Sequence, residues 1–236
     1  MKQEKYDMKK IKIVLHLLIL VLFVLELISR WNGNHNLEYM VKPWLMVWIG
    51  TYYFLFAFKR DLVALAMGAF FFSWVGDMFL MVAHTNELLF FAGVGGFFIS
   101  QLFYISLFLR SGRESGSRGI IARHPVWTLP FIIYLVAILW LLIGNMEGIM
   151  IPVIVIYAFS LIGMSLAAFN RFGKVSARSF WLLFTGSLFF VVSDSMIAIN
   201  KFYAEFNRSS FLVMFTYFIA QYLIMQGLLE ESGEKE

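Results

Sequence analysis

Residues 62–83 read LVALAMGAFFFSWVGDMFLMVA, an apolar stretch in which Asp77 is the one ionisable side chain. A helix rising about 1.5 Å per residue needs roughly 20 apolar residues to cross the hydrocarbon core of a bilayer. This stretch therefore predicts a transmembrane helix. The whole chain has the same character, because 61% of its 236 residues are hydrophobic and 14% are charged. These proportions exclude a soluble domain and predict an all-α, polytopic membrane helix bundle.

Apolar runs bounded by charged residues or by Gly, Asn and Ser clusters predict about eight transmembrane helices. They form a single integral membrane domain that covers residues 1–236. The predicted spans lie near residues 12–29, 43–58, 62–83, 88–109, 125–143, 149–169, 180–200 and 210–229. The second span is short, which leaves seven spans or a re-entrant element as alternatives at that point.

Basic residues alternate between the predicted loops. The two tails and every second loop hold 15 of the 19 Lys and Arg residues, and the other loops hold only Arg30, Lys42, Lys201 and Arg208. Because basic loops tend to remain in the cytoplasm, both termini are predicted to be cytoplasmic. The alternation also supports the number of spans, since removing one span would destroy it.

Two pairs of segments indicate an internal repeat. FFSWVGDMFL around Asp77 resembles LFFVVSDSMI around Asp194, and FFISQLFYI around Gln101 resembles YFIAQYLIM around Gln221. The two offsets, 117 and 120 residues, are nearly equal. They predict two parallel four-helix repeats, with chance similarity between Phe-rich segments as the alternative.

Asp77 and Asp194 are the clearest candidates for chemistry. An ionisable side chain inside a span costs about 2.5–3.5 kcal/mol on insertion scales, so each one needs a reason to be there. Both residues lie about 21–23 Å along parallel helices from the predicted cytoplasmic ends. That depth is roughly 8 Å below the outer interface. Two such carboxyl groups can act as proton donor and base, or they can merely hold the bundle together by hydrogen bonds.

Other polar residues are predicted to surround these two acids. Ser193 directly precedes Asp194, and the remaining candidates for the same interior are Gln101, Tyr104, Tyr157, Tyr217 and Gln221. Each could equally be a contact between helices. Lys42 and Lys201, at the outer side, could meet a phosphate group, although Lys42 could also be an ordinary interfacial lysine before a helix that begins at Pro43.

Several kinds of site are disfavoured by the sequence. The chain has no cysteine, so it has neither a thiolate nucleophile nor a sulfur-ligated metal. Its four histidines lack HxxxH or HExxH spacing, and its serines lack a GxSxG motif. We therefore expect no metal and no other cofactor. Basic residues do not cluster as a nucleic-acid partner would require.

Over most of its length the chain resembles the YhhN membrane family, whose characterised animal members are lysoplasmalogenases. The matching elements are KP at 42–43, GDMFL at 76–80, FFISQLFY at 97–104, YAFSLIGM at 157–164 and GSLFFVVSD at 186–194, followed by the helix that contains Gln221. The resemblance implies hydrolysis of the vinyl ether bond of a lysoplasmalogen, with Asp77 and Asp194 as the catalytic pair. One departure is that Gln101 stands where the family commonly has histidine.

A vinyl ether is cleaved after protonation of its outer alkene carbon, which requires a positioned acid and a nearby anion, as in glycoside hydrolysis. The rival hypothesis is a non-enzymatic lipid carrier or flippase that uses the same carboxyl groups. For either function the partners would be a lysophospholipid and membrane lipids. The expected location is a bacterial inner (plasma) membrane, and the oligomeric state stays open.

Overall fold

The structure is a computed structural model that describes residues 2–57, 62–111 and 118–233, and within these ranges the chain is helical with no strand. The long helices are α1 (Lys2–Asn32), α2 (His35–Ala57), α3 (Val63–Met81), α4 (Glu87–Ser111), α6 (Leu129–Ile143), α7 (Met150–Phe169), α8 (Ala177–Phe202) and α9 (Ser209–Gly233). A short helix α5 (Ile120–Arg123) and a 3₁₀ turn (Pro125–Thr128) precede α6. The predicted all-α bundle is confirmed.

Seven segments in the described ranges are long and apolar enough to cross a membrane. They are Lys10–Asn32, Val63–Val82, Glu87–Ser111, Pro125–Ile143, Met150–Phe169, Ala177–Phe202 and Ser209–Glu231. Each coincides with one of the predicted spans. The protein is thus a polytopic integral membrane protein. Among the described long helices, α2 is the one whose mean hydropathy is too low for it to be counted with these seven segments.

The helix that contains most of the second predicted span, 43–58, starts before that span. Helix α2 starts at His35, and Pro43 lies inside it. The side-chain oxygen of Asn34 accepts a hydrogen bond from the backbone N–H of Leu37 at 3.2 Å, which satisfies a donor of the first turn. With 23 residues, α2 spans about 35 Å and is not short. Residue 58, the predicted end of this span, lies outside the described residues.

Glycines bring two helix pairs into backbone contact. A Cβ atom added to Gly96 on α4 would lie 2.8 Å from the backbone nitrogen of Gly76 on α3. Likewise, a Cβ atom on Gly186 of α8 would lie 2.9 Å from the carbonyl oxygen of Ala220 on α9. Small residues permit this close approach, which is a common way of packing helices in lipid. The α3–α4 and α8–α9 hairpins are the most closely packed parts of the bundle.

The helix contacts follow the pairing that the sequence repeat predicts, in which α1–α4 correspond to α6–α9. Within the halves, α1–α2, α2–α3 and α3–α4 contacts correspond to α6–α7, α7–α8 and α8–α9 contacts. Between the halves, α4 packs on α7 and α9 packs on α2. Each of these contacts has its counterpart, whereas the α1–α9 and α6–α8 contacts have none of similar extent among the described residues, so the match to two repeats is partial. Asp77 and Asp194 occupy α3 and α8, which are equivalent helices in this scheme.

A buried arginine joins the helix ends opposite the acids. Arg171, just after α7, is 1% exposed. Its guanidinium donates hydrogen bonds to Ser111 Oγ at 2.8 Å, to Ser179 Oγ at 3.2 Å and to the Glu231 carboxylate at 2.5 Å. These partners lie at the end of α4, the start of α8 and the end of α9. This Arg171 cluster ties four elements together at one end of the bundle.

Candidate functional site

A cavity of about 570 Å³ contains both acids. Of the residues predicted to form the site, it is lined by Lys42, Asp77, Ser193, Asp194, Lys201 and Tyr217. Ala83, His84, Glu205 and Ser209 also line it, so the cavity lies at the end of the bundle where α3 and α8 end and α4 and α9 begin. This is the end opposite the Arg171 cluster. The structure brings the two carboxyl groups to the wall of one space.

Asp77 is held by a donor at each of its carboxyl oxygens. It lies four residues before the end of α3 and is 4% exposed. The Lys42 ammonium nitrogen lies 3.5 Å from Oδ1, and the Tyr217 hydroxyl donates to Oδ2 at 2.7 Å. Gly76 permits this position, because a side chain there would collide with the ring of Phe97 on α4.

Asp194 has a different set of partners. The Tyr157 hydroxyl donates a short hydrogen bond to Oδ2, and Gln101 Nε2 donates to the same oxygen at 3.3 Å. Gln101 is itself oriented, since its oxygen accepts a hydrogen bond from the Ser160 hydroxyl. Both donors on Asp194 are neutral groups. The sequence indicated Gln101 and Tyr157 but missed Ser160, which lies three residues after Tyr157 on α7.

A second layer of polar side chains lies deeper in the bundle. Tyr104 donates to the side-chain oxygen of Gln221 at 2.5 Å, and Gln221 Nε2 donates to Ser73 Oγ at 2.9 Å. The hydroxyl groups of Ser73 and Ser100 lie 2.7 Å apart. All four side chains are fully buried, and none of them lines the cavity. The predicted residues Gln101, Tyr104 and Gln221 therefore support the cavity from below.

Lys42 differs from one of the two expectations made for it. Its side chain is buried and paired with Asp77, which excludes the hypothesis of an ordinary interfacial lysine. Lys42 also does not lie just before the start of a helix, because α2 begins seven residues earlier. A phosphate could reach Lys42 only through the cavity that Lys42 shares with Asp77. Its position beside a buried carboxylate indicates an electrostatic role.

A network of charges next to Lys42 was missed by the sequence analysis. Arg30 Nε lies 2.9 Å from the Glu26 carboxylate, and Arg30 Nη2 lies 2.6 Å from the Glu38 carboxylate. Glu26 is fully buried, and its Oε2 atom has no hydrogen-bond partner. Arg30 lines the cavity. A glutamate within the first predicted span, four residues before an arginine, was the signal that could have found it.

The two remaining predicted residues are Lys201 and Ser193, and each makes a side-chain contact. Lys201 lines the cavity near its mouth, with its ammonium nitrogen 4.3 Å from the centre of the Phe90 ring. Ser193 donates its hydroxyl proton to the backbone oxygen of Val213 at 3.0 Å. Lys201 is thus available to an anion, whereas the Ser193 hydroxyl proton is committed to holding α8 against α9.

An apolar pocket adjoins the cavity at Asp194. Its walls include Ile138, Leu142, Ile154 and Leu161 from α6 and α7. Asp194, Leu80, Phe90, Phe97 and Ile197 line both spaces. Asp194 therefore lies where a polar compartment meets an apolar one. Among the described residues, no group of three or more His, Cys, Asp or Glu side chains is placed to share a metal ion.

Comparison with known proteins gives the chain its family. Human lysoplasmalogenase TMEM86A is 31% identical over 169 residues, which cover 67% of this chain and 62% of that relative's length. The match thus spans less than two thirds of the relative. No solved structure matches. The YhhN family matches residues 37–228, which contain Asp77, Asp194 and all their described hydrogen-bond partners. The chain belongs to the YhhN family.

Proposed function

We propose that this protein is a membrane-embedded hydrolase that cleaves the vinyl ether bond of lysoplasmalogens. The products would be a fatty aldehyde and a glycerophospho-base. The observation that carries the proposal is the shared cavity, which two buried carboxyl groups line and which borders an apolar pocket at Asp194. The family and the similarity to human lysoplasmalogenase TMEM86A support the same class of reaction.

The linings of the two spaces suit an amphiphilic substrate, because the cavity of about 570 Å³ has polar walls and the smaller pocket of about 50 Å³ has apolar ones. The polar head group would lie in the cavity, where Lys201 offers a cation to the phosphate. The alkenyl chain would extend toward the apolar pocket between α6 and α7. The vinyl ether joins head group and chain, so it would come to rest beside Asp194. Binding energy from both ends would then position the reacting bond.

The reaction needs one proton donor, one anion and one water molecule. A carboxylic acid protonates the outer alkene carbon, and the other alkene carbon becomes an oxocarbenium ion that the second, ionised carboxyl stabilises. Water adds to this ion and gives one proton to the second carboxylate, forming a hemiacetal. That proton then passes to the glycerol oxygen as its bond to carbon breaks, and the hemiacetal hydroxyl returns its proton to the first acid.

We further propose that the protein lies in the inner (plasma) membrane of a bacterium with both termini in the cytoplasm. The distribution of Lys and Arg supports this orientation. The cavity would then open toward the outer leaflet, because the loops that line part of it are predicted to lie on the outer side of the membrane. A head group entering there would avoid about 20 Å of apolar bundle and the cost of desolvating its phosphate.

The direct test is to incubate the purified protein in detergent with lysoplasmenylethanolamine and to measure aldehyde release. Lysolipids with a saturated alkyl ether or an acyl chain serve as controls and should stay intact, because neither has an alkene to protonate. In heavy water, one deuterium should appear on the aldehyde carbon next to the carbonyl. A carrier would show no aldehyde but would move lysolipid between the leaflets of reconstituted vesicles.

A further inference from the structure

We propose, resting on the function above, that Asp194 is the proton donor and that Asp77 is the anion, which Lys42 keeps ionised. The sequence does not distinguish the two acids, since they occupy matching positions of a repeat. Their surroundings are not equivalent. The difference lies in which carboxyl oxygens accept hydrogen bonds and in whether the donor carries a charge.

Both oxygens of Asp77 are occupied by donors. Lys42 lies at Oδ1 and Tyr217 donates to Oδ2. An ammonium group can only donate, so the oxygen that faces it must act as an acceptor. The other oxygen already accepts a hydrogen bond from the Tyr217 hydroxyl. Each oxygen of Asp77 thus already faces a donor, and the buried positive charge of Lys42 is compensated when Asp77 carries a negative charge.

Asp194 has the arrangement expected of a carboxylic acid. Tyr157 and Gln101 both donate to Oδ2, which leaves Oδ1 without a donor from the described part of the chain. Oδ1 is therefore the oxygen that can carry a proton and donate it, while Oδ2 keeps both of its hydrogen bonds as the carbonyl oxygen of a protonated carboxyl group. No described Lys, Arg or His side chain forms an ion pair with Asp194, whereas Lys42 is paired directly with Asp77.

The two spaces support the same assignment. Asp194 lines both the polar cavity and the apolar pocket, whereas Asp77 lines only the cavity. The carbon that receives the proton belongs to the alkenyl chain, on the apolar side of the bond. The oxocarbenium charge is shared with the ether oxygen, on the head-group side. A donor at Asp194 and an anion at Asp77 place each group beside the atom that it serves.

Lys42 is a positioning residue in this scheme, because it acts on the substrate through Asp77. Replacing it by methionine should free Asp77 to bind a proton. Replacing it by arginine should keep Asp77 ionised, since the guanidinium is always charged. The pair of variants separates an electrostatic role from a packing role, because both substitutes fill the space of a long side chain.

Infrared spectroscopy of the purified protein tests the assignment without any substrate. The carbonyl stretch of a protonated carboxyl group at neutral pH should disappear in Asp194→Asn and persist in Asp77→Asn. Glu26→Gln removes any contribution from the buried glutamate and serves as the background for both. Lys42→Met should add a second protonated carboxyl signal that Lys42→Arg does not add. Loss of the signal in Asp77→Asn alone would overturn the proposal.

Chemical rescue gives a second, independent readout. Formate is an anion at neutral pH and can replace a missing carboxylate but not a missing proton donor. It should restore aldehyde release by Asp77→Ala at least tenfold and leave Asp194→Ala inactive. Equal rescue of both variants, or rescue of Asp194→Ala alone, would contradict the assignment. If the wild-type protein released no aldehyde, the proposed function would fail, while the infrared result would still decide the protonation states.

Discussion

Tyr217 on α9 donates a hydrogen bond to Asp77 on α3 across 2.7 Å, and the two residues are 140 positions apart in the chain. The contact crosses the boundary between the two predicted repeats. It therefore joins one half of the molecule to the acid of the other half, and Gln101 on α4 makes the reciprocal contact with Asp194 on α8. The site exists only when both halves are assembled.

The first prediction concerns this hydrogen bond. Tyr217→Phe removes one donor from Asp77 while keeping the ring, and a hydrogen bond to a charged group is worth about 1.5–3 kcal/mol. We expect kcat to fall roughly tenfold or more, with a small change in melting temperature. Tyr203→Phe is the matched control, since Tyr203 is 55% exposed. Equal kcat values in the two variants would show that the bond to Asp77 has no part in turnover.

The acids themselves give the second prediction. Asp77→Asn and Asp194→Asn keep the shape of the side chain but remove its charge or its acidic proton, so each should lower kcat at least about a hundredfold. Gel filtration and circular dichroism should show that the variants remain folded. Glu147→Gln, at an exposed position between α6 and α7, should retain full activity. An active Asn variant would exclude that residue from the chemistry.

Gln101 offers a substitution that should be tolerated. Its amide donates to Asp194 and accepts from Ser160, and a neutral imidazole can do both with its two nitrogens. Gln101→His, which introduces the commoner residue of the family, is expected to give activity equal to or above that of the wild type. Gln101→Leu should reduce it, because it removes both contacts. A large loss in the histidine variant would show that the glutamine has a role of its own.

A fourth prediction concerns substrate access. Lys201 lines the mouth of the cavity, so Lys201→Ala should raise KM for the lysolipid about three- to tenfold and leave kcat nearly unchanged. Lys42→Met should instead lower kcat, because Lys42 pairs with Asp77. Lys174→Ala, near the Arg171 cluster, is the control with no expected effect. An unchanged KM in Lys201→Ala would argue against binding of the phosphate there.

The fifth prediction tests the packing of α3 against α4. Gly96→Ala would place a methyl group 2.8 Å from the Gly76 backbone, so the two helices must separate. Overpacking of this kind costs about 1–3 kcal/mol, and we expect a lower melting temperature together with lower activity, since Gly76 adjoins Asp77. Gly95→Ala is the matched control, because nothing lies within 4 Å of the added atom. Equal melting temperatures would contradict the close contact.

Sequence reasoning could identify the candidate residues that stand out individually within an apolar segment. Asp77 and Asp194 stand out because a charge inside a span is costly, and their matching positions predicted a shared site. The start of α2 was missed because Lys42 and Pro43 resemble a helix beginning, while Asn34 capped the helix earlier. Pro43 lies in the third turn of α2, and the residues around it do not distinguish this position from the start of a helix.

Partners across the bundle could not be found in this way. Tyr157 and Asp194 are 37 residues apart, and Lys42 and Asp77 are 35 residues apart. Helical periodicity says which residues share a face of one helix, but not which faces of two helices meet. The difference between the two acids depends on these cross-helix contacts, so it became visible only in the folded structure.

The Arg171 cluster has a consequence for the direction of traffic through the protein. A buried ion pair that loses one partner costs about 3–5 kcal/mol, so opening that end would be expensive in every cycle. Under the proposed activity, lysolipid, water and glycerophospho-base would all pass through the same mouth, and the aldehyde would leave sideways into the lipid. The reaction would then be non-vectorial, consuming a lipid on one side of the membrane without moving anything to the other.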